Sequence, residues 1–185
     1  TLGTDKIGHA GTLDPLATGL LILAYGEATK ELTHYSGLPK EYEVLVEFGK
    51  TSTTYDADGT LAEGKSLSIK REELDEALKN FTGDIKQTPP AFSAIRVKGR
   101  RAYELARKGL PVKLPPRTVN ISEISVLDFE WPLVRLRVCC SKGTYIRSLA
   151  HDLGQVLGTG GYVKELRRTA IGEFRVENAK KIEEV

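Results

Sequence analysis

The chain has no methionine, only two cysteines and only one tryptophan in 185 residues. With no initiating methionine, it is expected to be a piece of a longer chain. The two cysteines, Cys139 and Cys140, are adjacent. On a strand they would point to opposite faces, which disfavours a mutual bridge, and such usage fits a reducing compartment. A cytoplasmic protein is therefore expected. No second Cys or His pair has ligand spacing, so no metal site is expected. No apolar run approaches the ~20 residues of a membrane span, and no signal-peptide pattern opens the chain. Internal repeats and low-complexity segments are absent. The charge is nearly balanced, 27 Lys and Arg against 25 Asp and Glu, a net of +2. Bulk charge therefore does not announce a polyanionic partner, and only its distribution can.

The chain is long enough for one domain with a sizeable core, and 40% hydrophobic with 28% charged residues is ordinary globular material. Residues 20–25 read as a buried strand. From Tyr42 to Phe48 the residues nearly alternate, with Tyr42, Val44, Val46 and Phe48 on one face. Leu74, Ala77, Leu78 and Phe81 predict a helix over 71–81, capped by Ser68 and followed by Gly83. Residues 93–98 suggest a short strand and 101–108 a short basic helix. An irregular strand is expected over 119–131. A half-buried one follows, in which Val134, Leu136, Val138 and Cys140 alternate with Arg135, Arg137 and Cys139. Ile146, Leu149, Ala150, Leu153, Val156 and Leu157 form the strongest helical stripe, ended by Gly158, Gly160 and Gly161. A further short helix over 162–168 and a last strand over 172–176 complete the reading. Strands and helices mix without a βαβ rhythm, which favours an α+β domain.

One stretch stands out: Gly8-His9-Ala10-Gly11-Thr12-Leu13-Asp14-Pro15-Leu16-Ala17-Thr18-Gly19. Its glycines allow unusual backbone shapes and Pro15 stiffens the chain, so Asp14 sits in a specially shaped loop. An Asp before a Pro is more commonly a turn or cap residue. Asp56 and Asp58, before Gly59, read most simply as turn chemistry. Tyr42 alone would be a core or rim aromatic. Tyr145 and Arg147 lie where a strand turns into the long helix, a junction that commonly hosts sites. From Arg96 to Lys108, the residues Arg96, Lys98, Arg100, Arg101, Arg107 and Lys108 stand against Glu104 alone. A charge run is usually a solvated face. Lys164, Arg167 and Arg168 form a second basic group.

The Asp14 stretch closely resembles the catalytic loop of the TruB-type pseudouridine synthases, Gly-His-x-Gly-x-Leu-Asp-Pro-x-Ala-x-Gly, at every fixed position. Gly143-Thr144-Tyr145-Ile146-Arg147 is similar to a second motif of that family. Weaker matches are Tyr42, the Asp56-Ala57-Asp58-Gly59 run, Pro89-Pro90-Ala91-Phe92-Ser93-Ala94 and Tyr162 to Arg168, all in family order. The resemblance implies a pseudouridine-synthase-like catalytic domain, with a mixed, largely antiparallel central sheet flanked by helices. It covers residues 1–185, with an RNA-gripping insertion over 88–115. The family's upstream lysine- and proline-containing segment, and its C-terminal RNA-binding module, are expected to lie outside these residues.

By the same resemblance Asp14 is the nucleophile, Tyr42 stacks on the target base, Arg147 pairs with Asp14, and Tyr145 lines the pocket as a candidate general base. His9 inserts into the RNA fold, and Asp56 belongs to the polar network around the site. Arg96, Lys98, Arg100, Arg101, Lys164 and Arg167 contact RNA, mainly its phosphates. The implied activity is cofactor-free isomerisation of uridine in RNA, most like the tRNA pseudouridine-55 synthases acting on the T-stem-loop. The expectation is a monomer with tRNA as partner and no membrane or metal. Asp14 could attack C6 of the base or C1′ of the sugar. Competing readings are a guide-RNA-dependent relative, a non-catalytic RNA-binding or folding protein, and an unrelated hydrolase using Asp14.

Overall fold

The computed structural model describes residues 6–97 and 99–181. The elements run in chain order as β1 (Ile7–His9), β2 (Thr18–Gly19), β3 (Leu23–Tyr25), α1 (Leu32–Gly37), β4 (Lys40–Phe48), β5 (Lys50–Ser52) and β6 (Leu61–Glu63). They continue as α2 (Arg71–Lys79), β7 (Gly83–Gln87), β8 (Arg96–Val97), β9 (Arg100–Arg101), α3 (Ala102–Arg107), β10 (Arg117–Glu130), β11 (Leu133–Cys140), α4 (Ile146–Val156), β12 (Gly161–Ile171) and β13 (Phe174–Arg175). The result is an α+β fold around one sheet of seven strands among the described residues. The order is β13-β12-β4-β11-β10-β7, with β2 also beside β12. The β2–β12 pairing is parallel, and the other pairings of this sheet are antiparallel.

The alternating strands build the core as their periodicity predicts. Val44, Val46 and Phe48 of β4, and Val134, Leu136, Val138 and Cys140 of β11, are all buried on one face of the sheet. Against it α4 lays Ile146, Leu149, Ala150 and Leu153, and α2 adds Leu74, Ala77 and Leu78. Phe48 stacks on Trp131, ring centroids 5.1 Å apart. No helix of the described residues is long and apolar enough to cross a membrane.

Four local expectations are corrected. Residues 162–168 form no helix. They belong to β12, which pairs with β4 along its length. Irregularities between Val163 and Glu165 and between Arg168 and Ala170 break the alternation. The buried residues Val163, Leu166 and Ala170 then fall three and four apart, which imitates a helical period. Residues 20–25 are not a continuous buried strand. Leu20 and Ala24 are buried, but Leu21, Leu23 and Tyr25 are exposed, because β3 pairs only with β1 in a small separate ribbon. Val156 is exposed at the end of α4, whereas Leu157 after it packs against the core. Ser68 is not the cap of α2. That helix starts after Lys70, whose backbone N–H donates to the Glu73 carboxylate at 2.7 Å.

α4 reaches β12 through glycine. A Cβ on Gly154 would lie 2.3 Å from the Gly161 nitrogen and 2.4 Å from the Gly160 carbonyl carbon. Alanine is favoured over glycine in a helix by up to about 1 kcal/mol, but these neighbours are backbone atoms that cannot rotate away. Gly154→Ala is therefore expected to lose a net ~1–3 kcal/mol. Urea denaturation reads this directly, and an unchanged midpoint would show that helix and strand are free to separate.

Candidate active site

The Asp14 loop is laid against β12 by backbone contacts that only its glycines permit. Gly19 has φ +102°, and a Cβ there would sit 2.2 Å from the Arg168 carbonyl oxygen. Leu20 N–H donates to that same carbonyl at 2.8 Å. Arg168 completes the attachment from below. Its Nε donates to the Leu20 carbonyl at 2.8 Å and its Nη2 to the Gly11 carbonyl at 3.1 Å. At 1% exposure Arg168 cannot meet a phosphate, so the second basic group loses one of its three expected members. A buried guanidinium is kept because loop carbonyls satisfy it.

Arg147 lies in the first turn of α4 and is 4% exposed. Its five N–H groups face five acceptors. Nε and Nη2 grip Asp14 bidentately, at 2.9 Å to Oδ2 and 2.7 Å to Oδ1. Nη2 also donates to the Phe92 carbonyl at 3.0 Å, and Nη1 to the Thr54 carbonyl at 3.1 Å. Nη1 lies 3.3 Å from Asp56 Oδ2. Asp56 is itself buried, and its other oxygen accepts from the Thr54 hydroxyl and from the Asp58 N–H. The two carboxylates differ in access. The Asp56 side chain is 4% exposed, whereas that of Asp14 is 31% exposed. Asp56 thus backs the guanidinium, and Asp14 is the end that a substrate can reach.

Tyr42 and Tyr145 both lie within electrostatic reach of Asp14. Tyr42 sits in β4 between Val138 and Arg168 of the neighbouring strands. Burial pushes its phenol above the ordinary value, and the charge and hydrogen bond of Arg168 pull partway back. Tyr145 is the residue before α4. Burial raises its pKa too, partly offset by the charge of Arg117 and by the Ser93 hydroxyl beside it. The Asp14 charge acts on both phenols. Asp14 is thus paired with Arg147 and lies within electrostatic reach of two phenols. That set can hold a flat polar ring and present one nucleophilic oxygen to it.

The remaining expected residues are placed less uniformly. His9 is exposed in β1, opposite Leu23. Asp56, expected in the polar network around the site, lies behind Arg147 and faces protein. Arg96, Arg100 and Arg101 are exposed on the β8–β9 hairpin, where Arg96 pairs directly with Arg101. The hairpin is tied to the site, since Tyr103 N–H donates to the Ser93 carbonyl at 3.0 Å and Ala102 N–H to the Ile95 carbonyl at 2.7 Å. Lys98 lies outside the described residues. Lys164 and Arg167 border a groove of about 310 Å³ beside Leu16 and Thr18 of the Asp14 loop. Lys164 also reaches Glu47 at 2.8 Å. Among the described residues no group of three His, Cys, Asp or Glu side chains could hold a metal ion. Sequence reasoning missed Thr54 and Phe92, which act through carbonyls and leave no side-chain signal.

Comparison with known proteins finds likenesses in sequence and in fold. The model described as "TruB family pseudouridylate synthase (N terminal domain)" matches residues 1–146, and that described as "tRNA pseudouridylate synthase B C-terminal domain" matches 147–185. The chain is 48% identical over 183 residues to tRNA pseudouridine synthase B of Solibacter usitatus, covering 98% of the chain and 62% of that protein. It is 49% identical to the Stutzerimonas stutzeri protein of the same name, covering 94% and 57%. With the Parabacteroides distasonis protein of that name the identity is 46%, covering 97% and 77%. The chain thus spans about three fifths of the length of the first two relatives. Among solved structures, the crystal structure of a Cbf5-Nop10-Gar1 complex superposes with a TM-score of 0.71 at 32% identity, over 94% of this chain and 43% of that one. The structure of an H/ACA RNP bound to a substrate RNA containing 2′-deoxyuridine gives 0.66 at 30%, over 94% and 41%.

The Arg168 contacts make a stability prediction. Arg168→Met removes the donors to Gly11 and Leu20, and a buried acceptor left unmet costs about 1–3 kcal/mol. Thermal unfolding should shift down by several degrees, and proteolysis should open the 8–20 loop first. An unchanged melting temperature would mean that the loop is held by its backbone contacts alone.

Proposed function

The chain belongs to the TruB family of pseudouridylate synthases, and on that premise we propose that it isomerises uridine to pseudouridine in RNA, with the T-stem-loop of tRNA as its substrate. The observation that carries the reading is the bidentate Arg147–Asp14 pair, with Asp14 the accessible carboxylate. A nucleophilic carboxylate must be held still and kept partly clear of water, and a buried guanidinium does both.

The reaction breaks the N1–C1′ bond, turns the uracil ring and joins C5 to C1′. C5 loses a proton and N1 gains one, so the atoms of the nucleoside balance and no cofactor is required. The target uracil must leave its stack, at a cost of a few kcal/mol. Tyr42 then offers the ring a flat face in place of its lost neighbours. Asp14 attacks covalently, at C6 or at C1′, and splits one hard step into easier ones. Tyr145 is the candidate for taking the C5 proton. Because burial raises its pKa, the phenol is neutral at neutral pH, and its capacity as a base grows as pH rises.

Affinity for RNA is assigned to the hairpin region, residues 88–115. Arg96 opposite Arg101 places like charges across a strand pair, which destabilises the free protein and is relieved by a polyanion. His9 is proposed to enter the RNA fold, and Lys164 and Arg167 to hold phosphates along the groove beside the Asp14 loop.

The likeness to Cbf5 favours, as a second reading, a guide-RNA-dependent enzyme of the same family. Against it stand the relatives at 46–49% identity, which carry the name of the tRNA enzyme. Stable partner proteins in a pull-down would revive it.

Two experiments test the assignment. With a T-stem-loop RNA tritiated at C5 of its uridine, the full-length protein should release tritium. Asp14→Asn should release none while still binding RNA, and loss of binding together with activity would make Asp14 a structural cap. Separately, Arg101→Ala should weaken binding and reduce the log–log salt slope by about 0.7–0.9. An unchanged slope would remove Arg101 from the phosphate contacts.

A further inference from the structure

Gln87 is the last residue of β7, 2% exposed, and nothing in the proposed chemistry uses it. Its carboxamide makes a two-way clasp on one residue. The Tyr145 N–H donates to Gln87 Oε1 at 2.8 Å, and Gln87 Nε2 donates to the Tyr145 carbonyl at 3.0 Å. This is the pattern one extended peptide offers another across an antiparallel ladder, here supplied by a side chain. Tyr145 needs such a partner. It has extended geometry, φ −105° and ψ 109°, and stands alone between the turn at Ser141–Gly143 and the start of α4. The strand that supplies the clasp cannot continue along it, because Pro89 and Pro90 follow and have no N–H to offer.

The clasp fixes more than a turn. The charge of Asp14 reaches the Tyr145 phenol, and Arg147 follows two residues later in the first turn of α4. The Tyr145 carbonyl also accepts the Leu149 N–H at 3.1 Å, so the backbone that Gln87 holds is itself the first rung of α4. The buried Ser93 hydroxyl lowers the pKa of the phenol. The backbone of Tyr145 therefore depends on a single side chain 58 positions away in sequence.

We propose that Gln87 is a positioning residue of the isomerase, whose buried carboxamide sets the place of the Tyr145 phenol and, through the first turn of α4, of Arg147. The proposal rests on the isomerase reading above. A neighbouring contact provides a control. Ser148 Oγ donates to the Thr88 carbonyl at 2.8 Å, which ties the same strand end to the same helix without touching Tyr145.

The test compares Gln87→Met and Ser148→Ala in the full-length protein. Gln87→Met keeps the length of the side chain and removes both hydrogen bonds. Tritium release from the T-stem-loop gives kcat and KM, thermal unfolding gives stability, and the 13Cζ resonance of Tyr145, assigned by its absence in Tyr145→Phe, reports the ring. Gln87→Met is expected to lower kcat by about ten- to a hundred-fold with KM within about two-fold, and to move or broaden the Tyr145 resonance. Ser148→Ala is expected to lower the melting temperature and leave kcat and the resonance in place. Should Gln87→Met fail to fold, Gln87→Glu is read the same way, since it keeps the shape and the acceptor and loses the donor to the Tyr145 carbonyl. A kcat within two-fold of wild type, an unmoved Tyr145 resonance, or an equal fall in kcat in Ser148→Ala at equal loss of stability each overturns the proposal. If the wild-type protein releases no tritium, the isomerase reading falls, and the resonance still decides whether Gln87 fixes Tyr145.

Discussion

A guanidinium at 4% exposure is costly to bury unless every one of its donors is met. Arg147 meets that condition by drawing acceptors from three separate parts of the chain: the Asp14 loop, the Thr54–Asp56 turn and the Phe92 carbonyl. Each of these segments is irregular, and none would hold its shape alone. The requirement to satisfy one buried cation therefore fixes the relative positions of three loops. The same requirement leaves Asp14 with both oxygens engaged by the guanidinium and one face open to solvent. Structure and chemistry are thus set by the same interaction, so a change at Arg147 acts on both at once.

Arg168 repeats the device one layer away. It is also fully buried, but its partners are neutral carbonyls of the Asp14 loop rather than carboxylates. The difference in partners separates the tasks. Arg147 grips the Asp14 carboxylate, and Arg168 holds the loop that carries it to a central strand. Between them the loop is gripped at Gly11, Asp14 and Leu20, and Gly19 allows it to lie flush on β12. The sheet serves mainly as the rigid floor for this attachment. β4 contributes Tyr42 and β12 contributes Arg168 at directly opposed positions, so the pocket wall and the loop anchor share one register.

The basic hairpin follows another logic. Its arginines are exposed, and Arg96 and Arg101 face each other with no carboxylate between them in the pairing. Its root is hydrogen-bonded to the segment that includes Phe92 and Ser93, and Phe92 is a partner of Arg147. A polyanion settling on the hairpin would therefore press on a segment that touches the site directly. Charge that looks only like a solvated face in the sequence is, in the fold, mechanically close to the chemistry.

The sequence by itself determined the elements whose pattern is local. The alternation from Tyr42 to Phe48 and from Val134 to Cys140, and the stripe from Ile146 to Leu153, are buried as their periods require. The string of residues 8–19, with Tyr145 and Arg147, pointed to a candidate site through its family resemblance, and the fold joins Asp14 to Arg147. Tertiary structure decided the rest, wherever the controlling partner is distant in sequence. β12 reads as a helix because register irregularities against β4 set its buried residues three and four apart. Arg167 and Arg168 are neighbours of the same type, yet one is exposed and the other buried, since successive residues on a strand face opposite ways. The carbonyls of Thr54 and Phe92, and the carboxamide of Gln87, carry no sequence signal because any residue offers a carbonyl and any surface can hold a glutamine. Their roles exist only once folding brings them, 93, 55 and 58 positions from their partners, to one buried point.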